Sequence, residues 1–141
     1  MLDESGSIGE DNFDLMTSFV SQLVARMDID SGNTRVGAIT FSNNVRQSFD
    51  LDEHSTVDDV QNAFSQFTFL GGNTRTDQAL EHVRLNMLTA AAGDRSDAPN
   101  VVVVFTDGKS TQHDQTSVST TYYIASAVSH YATGNPLAIL L

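Results

Sequence analysis

The stretch that decides the fold is MLDESGSIGE, at residues 1–10. Its apolar start is typical of a strand end, and apolar residues at helical spacing follow it. In a turn from strand to helix, Asp3, Ser5 and Ser7 can point to one side, over the helix N-terminus. Three small oxygen donors that converge there would suit Mg²⁺, which takes oxygen ligands in octahedral geometry and keeps some water. The opening therefore predicts a metal-binding loop.

Composition limits the classes of function. The chain has 141 residues, of which 40% are hydrophobic, so we expect one globular domain with a real core. The formal net charge of −11 argues against nucleic acid and anionic membranes as partners, because both need a basic surface. The absence of cysteine excludes disulfides, thiol catalysis and thiolate metal sites. No apolar run is long enough to span a membrane, and the start lacks the pattern of a signal peptide.

Hydrophobic spacing predicts the elements of the first half. Apolar residues recur at helical spacing over residues 11–27 and predict a first helix. Residues 35–41 and 45–49 are predicted strands, and the short turn between them predicts an antiparallel hairpin. Ser55, with Asp58 three residues later, is the expected N-cap of a second helix.

The second half continues the alternation of helices and strands. The loop at residues 71–76 leads into a predicted helix with apolar positions over 79–88. The run VVVVF at 101–105 predicts a strand buried on both faces. A helix over 118–132 and a final buried strand over 137–141 are expected after it. The predicted fold class is α/β: a Rossmann-like, open, doubly wound sheet, mostly parallel with one antiparallel edge strand, and with helices on both faces.

Three polar loops are expected at one edge of this sheet. In open α/β sheets, ligands gather at the carboxyl ends of the strands. The loops at residues 3–7, 72–76 and 106–108 all belong there. Asp107 stands two residues after the run VVVVF, which would present its carboxylate at the same edge. The three loops together predict one shared site.

These motifs, in this order, resemble the von Willebrand factor type A domain, whose signature is a metal-ion-dependent adhesion site (MIDAS). The chain contains Asp-x-Ser-x-Ser after a strand, then Gly-Gly-x-Thr-x-Thr, then Val-Val-Phe-Thr-Asp-Gly. The resemblance covers nearly the whole chain. The residues that correspond to the metal site of the family are Asp3, Ser5, Ser7, Thr74 and Asp107.

The resemblance implies a way of binding. Ser5, Ser7 and, in the ligand-bound state, Thr74 would coordinate Mg²⁺ or Mn²⁺ directly, whereas Asp3 and Asp107 would act mostly through water. A Glu or Asp carboxylate of a protein ligand would then complete the octahedron. The metal would join two proteins and catalyse nothing.

The wording of the first motif is most similar to that of the extracellular matrix group of the family, such as collagen-associated and matrilin-like proteins. The resemblance therefore implies a non-enzymatic adhesion module, secreted or in the ectodomain of a larger chain, with collagen or another matrix protein as ligand. Residues 1–141 are expected to form one partial domain, apparently truncated at both ends. Its first strand would be shortened, and its last strand and helix absent or atypical.

Alternative interpretations stay open. An intracellular domain of the same family could be a scaffold in a protein complex. A Mg²⁺-dependent hydrolase or phosphotransferase could use Asp3 as nucleophile together with Asp107, although Lys109 is a weak candidate for holding a phosphate. The run at residues 28–32 is similar to a calcium loop, but it lacks the later ligands and the closing Glu.

Several polar residues are expected to have ordinary roles. Glu4 and Asp77 are interpreted as solvated acids that tune the local charge, and Thr76 as a helix cap. The histidines lack metal-ligand spacing and are interpreted as surface or structural residues: His54, His82, His113 and His130.

Overall fold

The computed structural model of the chain describes residues 1–107, 110–112 and 137–140. The predicted helix over 118–132 and Lys109 lie outside these residues. No helix among the described residues is long and apolar enough to cross a membrane. The elements are β1 (Leu2–Asp3), α1 (Glu10–Val24), β2 (Thr34–Phe41), β3 (Val45–Phe49), α2 (Val57–Ser65), α3 (Thr76–His82), a π-helical turn (Val83–Met87), a 3-10 turn (Ala90–Ala92), β4 (Asn100–Val102) and β5 (Leu137–Leu140).

The described strands form one five-stranded sheet around β2. The hairpin prediction is confirmed, because β3 pairs antiparallel with β2 at one edge. On its other side β2 pairs in parallel with both β1 and β5, and β4 pairs in parallel with β5. The sheet is therefore mostly parallel with one antiparallel edge strand, as the sequence predicts.

The central strand position is shared by the two ends of the chain. Along β2, Gly37 pairs with Leu140 of β5, and Thr40 pairs with Leu2 of β1. Positions 38 and 39 of β2 separate these two pairs. If the count runs from the C-terminus on to the N-terminus, two residues, 141 and 1, also separate Leu140 from Leu2. The two segments therefore lie end to end in one continuous register.

The other neighbour of this composite strand gives the same register. Leu140 pairs with Val102, and Leu2 pairs in parallel with Phe105. Positions 103 and 104 separate them, again two residues. The nitrogen of Met1 donates to the carbonyl of Val103 at 2.8 Å, as a ladder N–H would. β5 thus lies in line with β1, between the same two neighbouring strands.

Helices cover both faces of the sheet, as predicted. Side chains alternate along β2, so Val36 and Ala38 face one layer, whereas Ile39 and Phe41 face the other. The first layer packs against α1 and α2 through Phe13, Val20, Val24, Val60 and Phe64. The second layer packs against α3 and the π-helical turn through Ala79, Leu80, Val83 and Met87.

The start of α2 corrects one prediction. The N-cap is Thr56, not Ser55, and its Oγ1 accepts from the Asp59 N–H at 3.1 Å. The Thr56 hydroxyl also donates to the Asp59 carboxylate at 2.7 Å. Both Ser55 and Thr56 are good caps with an acid three residues later, so the sequence alone did not separate the two registers.

The valine strand is shorter and less buried than predicted. β4 covers Asn100–Val102, Val101 is only partly buried, and Val104 is 36% exposed. The prediction of burial on both faces is therefore wrong for the described part of the chain. The direction of the strand is as predicted, because β4 runs parallel to its neighbour.

Candidate metal site

Asp3 is held in a buried position at the carboxyl end of β1. The residue is fully buried. Its Oδ1 accepts from the Ser5 N–H at 2.8 Å, and its Oδ2 accepts from the Thr106 hydroxyl at 2.6 Å. Both donors are uncharged. A buried carboxylate is unfavourable unless a positive charge compensates it, so this position favours a cation close by.

A line of oxygen atoms leads from this buried position to the surface. Ser5 Oγ lies 3.3 Å from Ser7 Oγ, and the Ser7 hydroxyl donates to Asp107 Oδ1 at 3.1 Å. Ser5 is buried, whereas Ser7 and Asp107 are exposed. The fold thus brings together the first and third predicted loops, and the outer end of the line is open to a partner.

Thr74 is brought to the same edge through its backbone. The Gly6 N–H donates to the Gly72 carbonyl at 2.9 Å, which ties the second loop to the first. The Thr111 N–H donates to the Thr74 carbonyl at 2.8 Å, and the Thr74 N–H donates to Thr111 Oγ1 at 3.3 Å. Thr74 is buried beneath these contacts. The hydrogen bonds of the described residues do not connect its hydroxyl with the other four predicted ligands.

The hairpin turn after β2 supports the second loop, although no sequence motif assigned it to the site. The Ser42 carbonyl accepts from the Arg75 N–H at 2.9 Å. The side-chain oxygen of Asn43 accepts from the Asn73 N–H at 3.1 Å. Since β2 is parallel to β1, this turn lies at the same carboxyl edge. The rule that ligands gather at that edge would have indicated it.

Thr106 and Thr111 were also missed as supporting residues. The Thr106 hydroxyl fixes Asp3, and Thr111 brackets the backbone of Thr74. Thr106 stands next to the predicted ligand Asp107, and this proximity was an available signal. Thr111 stands in a polar loop without periodicity, and no sequence pattern distinguishes it.

Glu4 corrects another prediction, because it is not a solvated acid. Its side chain is fully buried. Arg46 of β3 donates from Nε to Oε1 at 2.8 Å and from Nη2 to Oε2 at 2.5 Å. The hydrogen bonds to Glu4 raise the pKa of Arg46 above its usual value. Glu4 is therefore the buried half of a bidentate ion pair whose arginine is partly exposed.

Asp77 and Thr76 also differ from their predicted roles. Asp77 is buried, and Arg75 donates to its two oxygens at 2.9 and 2.8 Å. These hydrogen bonds hold the pKa of Asp77 below its usual value. α3 begins at Thr76, with Arg75 before it and no side-chain cap. Asp77, in the first turn of α3, therefore forms an ion pair and is not a solvated surface acid.

The faint calcium motif is an ordinary loop. The Asp28 carboxylate accepts from the Ser31 hydroxyl at 2.6 Å and from the Asn33 amide at 2.7 Å. These hydrogen bonds, that of Ser31 first, lower the pKa of Asp28. Asp30 accepts from the Val57 N–H at 2.8 Å. Both carboxylates are used within the fold.

The donor set of the predicted site fits a hard cation. The described residues contain no group of three or more His, Cys, Asp or Glu that could hold a metal ion. The five predicted ligands are instead three hydroxyls and two carboxylates, all of them oxygen donors. Such a set suits Mg²⁺ or Mn²⁺ better than a soft metal.

An open α/β sheet with three oxygen-bearing loops at its carboxyl edge defines the class of this domain. The profile of the von Willebrand factor type A domain matches residues 1–134. The chain therefore belongs to the von Willebrand factor type A domain family.

Relatives of the chain include a matrilin and a collagen. Human matrilin-1 is 34% identical over 110 residues, which cover 78% of this chain and 22% of matrilin-1. The collagen alpha-1(XII) chain of Notophthalmus viridescens is 30% identical over 134 residues, which cover 95% of this chain and 14% of the collagen. The chain thus spans about a fifth or less of these relatives.

Solved structures share the fold. Proximal thread matrix protein 1 (PTMP1) from the mussel byssus matches with a TM-score of 0.78 and 25% identity, over 98% of this chain and 34% of that one. A further structure of PTMP1, described as having a zinc-occupied MIDAS motif, matches with a TM-score of 0.77 and 24% identity, over 98% and 35% of the two chains. At this identity the second likeness shows the fold alone.

Proposed function

We propose that this domain binds a protein ligand through a divalent metal ion at the three loops of the carboxyl edge. Ser5 and Ser7 would coordinate Mg²⁺, or Mn²⁺, directly, and Thr74 would join them when the ligand is bound. Asp3 and Asp107 would act mainly through water. The metal, when bound, would supply an open coordination position for a Glu or Asp carboxylate of the ligand.

The observation that carries this proposal is the buried carboxylate of Asp3 beside the hydroxyl line. Asp3 is fully buried and hydrogen-bonded to the neutral Ser5 N–H and Thr106 hydroxyl. A cation at the adjacent serine oxygens would compensate its charge. The exposed end of the line, at Ser7 and Asp107, leaves room for a macromolecular ligand.

The relatives support the kind of ligand. Matrilin-1 and collagen XII are matrix proteins by name, and PTMP1 has a structure with zinc at its MIDAS motif. By extension, this chain is a non-enzymatic adhesion domain of the extracellular space, formed by residues 1–141. Its ligand would be a collagen or another matrix protein that offers an acidic side chain.

The first test is calorimetric titration of the metal-stripped protein with Mg²⁺ and with Mn²⁺. We expect saturable binding at one site in the parent and its loss in Asp107→Ala. Asp97→Ala is the matched control, because Asp97 is also exposed and its removal changes the net charge equally. Retained binding in Asp107→Ala would show that the metal is bound elsewhere.

The ligand step has its own test. A triple-helical collagen peptide with one Glu should bind in Mg²⁺, and the binding should disappear in EDTA. The same peptide with Gln in place of Glu should not bind, because an amide cannot supply the charged oxygen ligand. Equal binding of the two peptides would rule out a metal-bridged carboxylate.

A further inference from the structure

The guanidinium of Arg46 binds the first loop through Glu4. Glu4 lies between Asp3 and Ser5 in the chain, and Arg46 grips both of its carboxylate oxygens. Glu4 is 0% exposed, whereas the Arg46 side chain is 30% exposed. The Glu4 N–H donates to the Phe41 carbonyl at 2.9 Å. Both the backbone and the side chain of Glu4 are therefore fixed to the hairpin.

The same guanidinium reaches the segment that leads into the second loop. Arg46 Nη2 donates to the carbonyl oxygen of Thr68, and Nη1 lies 3.5 Å from the Thr68 hydroxyl. Gln47, the next residue of β3, accepts from the Thr68 N–H at 2.9 Å. Thr68 stands three residues before Gly71, where the second loop begins. Arg46 thus joins the first loop, β3 and the entry to the second loop.

Loss of Arg46 would release a buried charge next to two predicted metal ligands. Without Arg46, the buried Glu4 carboxylate would lose its bidentate partner and would move towards water. Movement of Glu4 would displace Asp3 and Ser5, because they are its direct neighbours in the chain and the Ser5 N–H donates to Asp3. Residues that orient metal ligands in this indirect way typically change metal affinity about 10–100-fold when they are mutated.

We propose that Arg46, acting through Glu4, is a positioning residue for the metal site. The inference rests on the proposed function. The direction of the change in Mg²⁺ affinity distinguishes positioning from simple electrostatics. Removal of a positive charge near the site lowers the Coulomb repulsion of a cation and should by itself strengthen cation binding. Positioning predicts the opposite, weaker binding of Mg²⁺ after Arg46 is removed.

The test compares Arg46→Met, Arg46→Lys and Arg95→Met in the full chain. Arg95 donates to the carbonyls of Gly32 and Asn33 at 2.8 Å, and none of these residues belongs to the predicted site. Arg95→Met therefore removes an equal charge and two hydrogen bonds to backbone carbonyls elsewhere. We expect the Kd for Mg²⁺ to rise about tenfold in Arg46→Met and to stay near the parent value in Arg95→Met. Arg46→Lys keeps the positive charge but loses the bidentate guanidinium, so its Kd for Mg²⁺ should lie between those of the two other variants.

Hydrogen exchange of the Ser5 amide, measured without metal, gives a second readout. This N–H donates to Asp3, so its exchange should accelerate in Arg46→Met relative to Arg95→Met. An unchanged or lower Kd together with unchanged exchange would overturn the positioning role. If the parent protein binds no Mg²⁺, the proposed function fails, and the exchange rates still decide whether Arg46 orders the loop.

Discussion

Neighbouring residues of the first loop contact different parts of the fold. Asp3 and Ser5 take part in the oxygen cluster with Ser7, whereas Glu4 between them contacts Arg46 of β3. This division follows from the alternation of side chains in extended backbone. Alternate spacing therefore separates the residues proposed to bind the metal from the residue that anchors their backbone.

Gly72 provides a prediction at the residue scale. Its φ is +124°, and an added Cβ would lie 2.8 Å from Asn43 Nδ2 and 3.2 Å from Ser42 Oγ. Gly32 is a matched control, because its φ is +78° and an added Cβ would meet nothing within 4 Å. Gly32→Ala should cost about 1–2 kcal/mol of unfolding free energy from backbone strain alone. Gly72→Ala should cost about 1–3 kcal/mol more, from overpacking and from a φ farther from the left-handed minimum.

Urea denaturation of the two variants without metal would measure this difference. Equal destabilisation would mean that the hairpin turn yields to the new methyl group. The turn would then not be a firm support for the second loop.

The sequence indicates residues of the candidate site only where the signal is local. Asp3, Ser5 and Ser7 stand at alternate positions, and Asp107 follows a run of valines, so short patterns indicate all four. The partner of Glu4 is 42 residues away in the chain, and no local pattern announces an ion pair at that separation. From the sequence alone, Glu4 is interpreted as solvated, because only the tertiary structure brings Arg46 into contact with it.

At the scale of elements, the predicted types are mostly right and the details depend on neighbours. The antiparallel hairpin and the helices on both faces follow from periodicity. The predicted first helix runs to residue 27, whereas α1 ends at Val24, since the N–H groups of Arg26 and Met27 donate three residues back instead of four. Helix ends and caps are decided by one-residue choices, which periodicity does not resolve.

The short strand β1 gives a prediction about pH. In the chain that starts with a free amine at Met1, this amine is fully buried and burial lowers its pKa from 8.0 to about 4. Between these values the unfolded chain binds a proton that the folded chain does not, so stability should rise from pH 4 to pH 8 and level off above. The full span corresponds to about 5 kcal/mol.

Urea denaturation between pH 5.5 and 8.5 would measure this slope, because most carboxylates have already titrated below that range. The control is a chain closed head to tail, which has the same histidines and no amine. If the open and closed chains gave parallel profiles, the amine would not be buried.

At the scale of the whole molecule, β5 and β1 lie end to end as one composite strand. This arrangement can be tested by closing the chain head to tail. A direct peptide bond between Leu141 and Met1 would continue the register that both neighbouring strands define. Closure should stabilise the fold by about 4–5 kcal/mol in the chain-entropy description. A closed chain with one added Gly between these residues should be less stable than the direct one, because one extra residue breaks the register or forces a bulge.

Thermal unfolding in EDTA would compare the two closed chains and the open chain without any contribution from metal. If the chain with the added Gly were the most stable of the three, β5 and β1 would not share one register.

The composite strand also bears on the order of folding. Residues 137–140 and 1–3 are the most distant parts of the sequence, yet they complete the same line at the centre of the sheet. Bringing such distant segments together carries a large loop-closure entropy, and contacts of this kind slow folding. The hairpin of β2 and β3 needs no such closure and can form early. The loop that carries Asp3, Ser5 and Ser7 would then become ordered after the hairpin, and the proposed metal site with it.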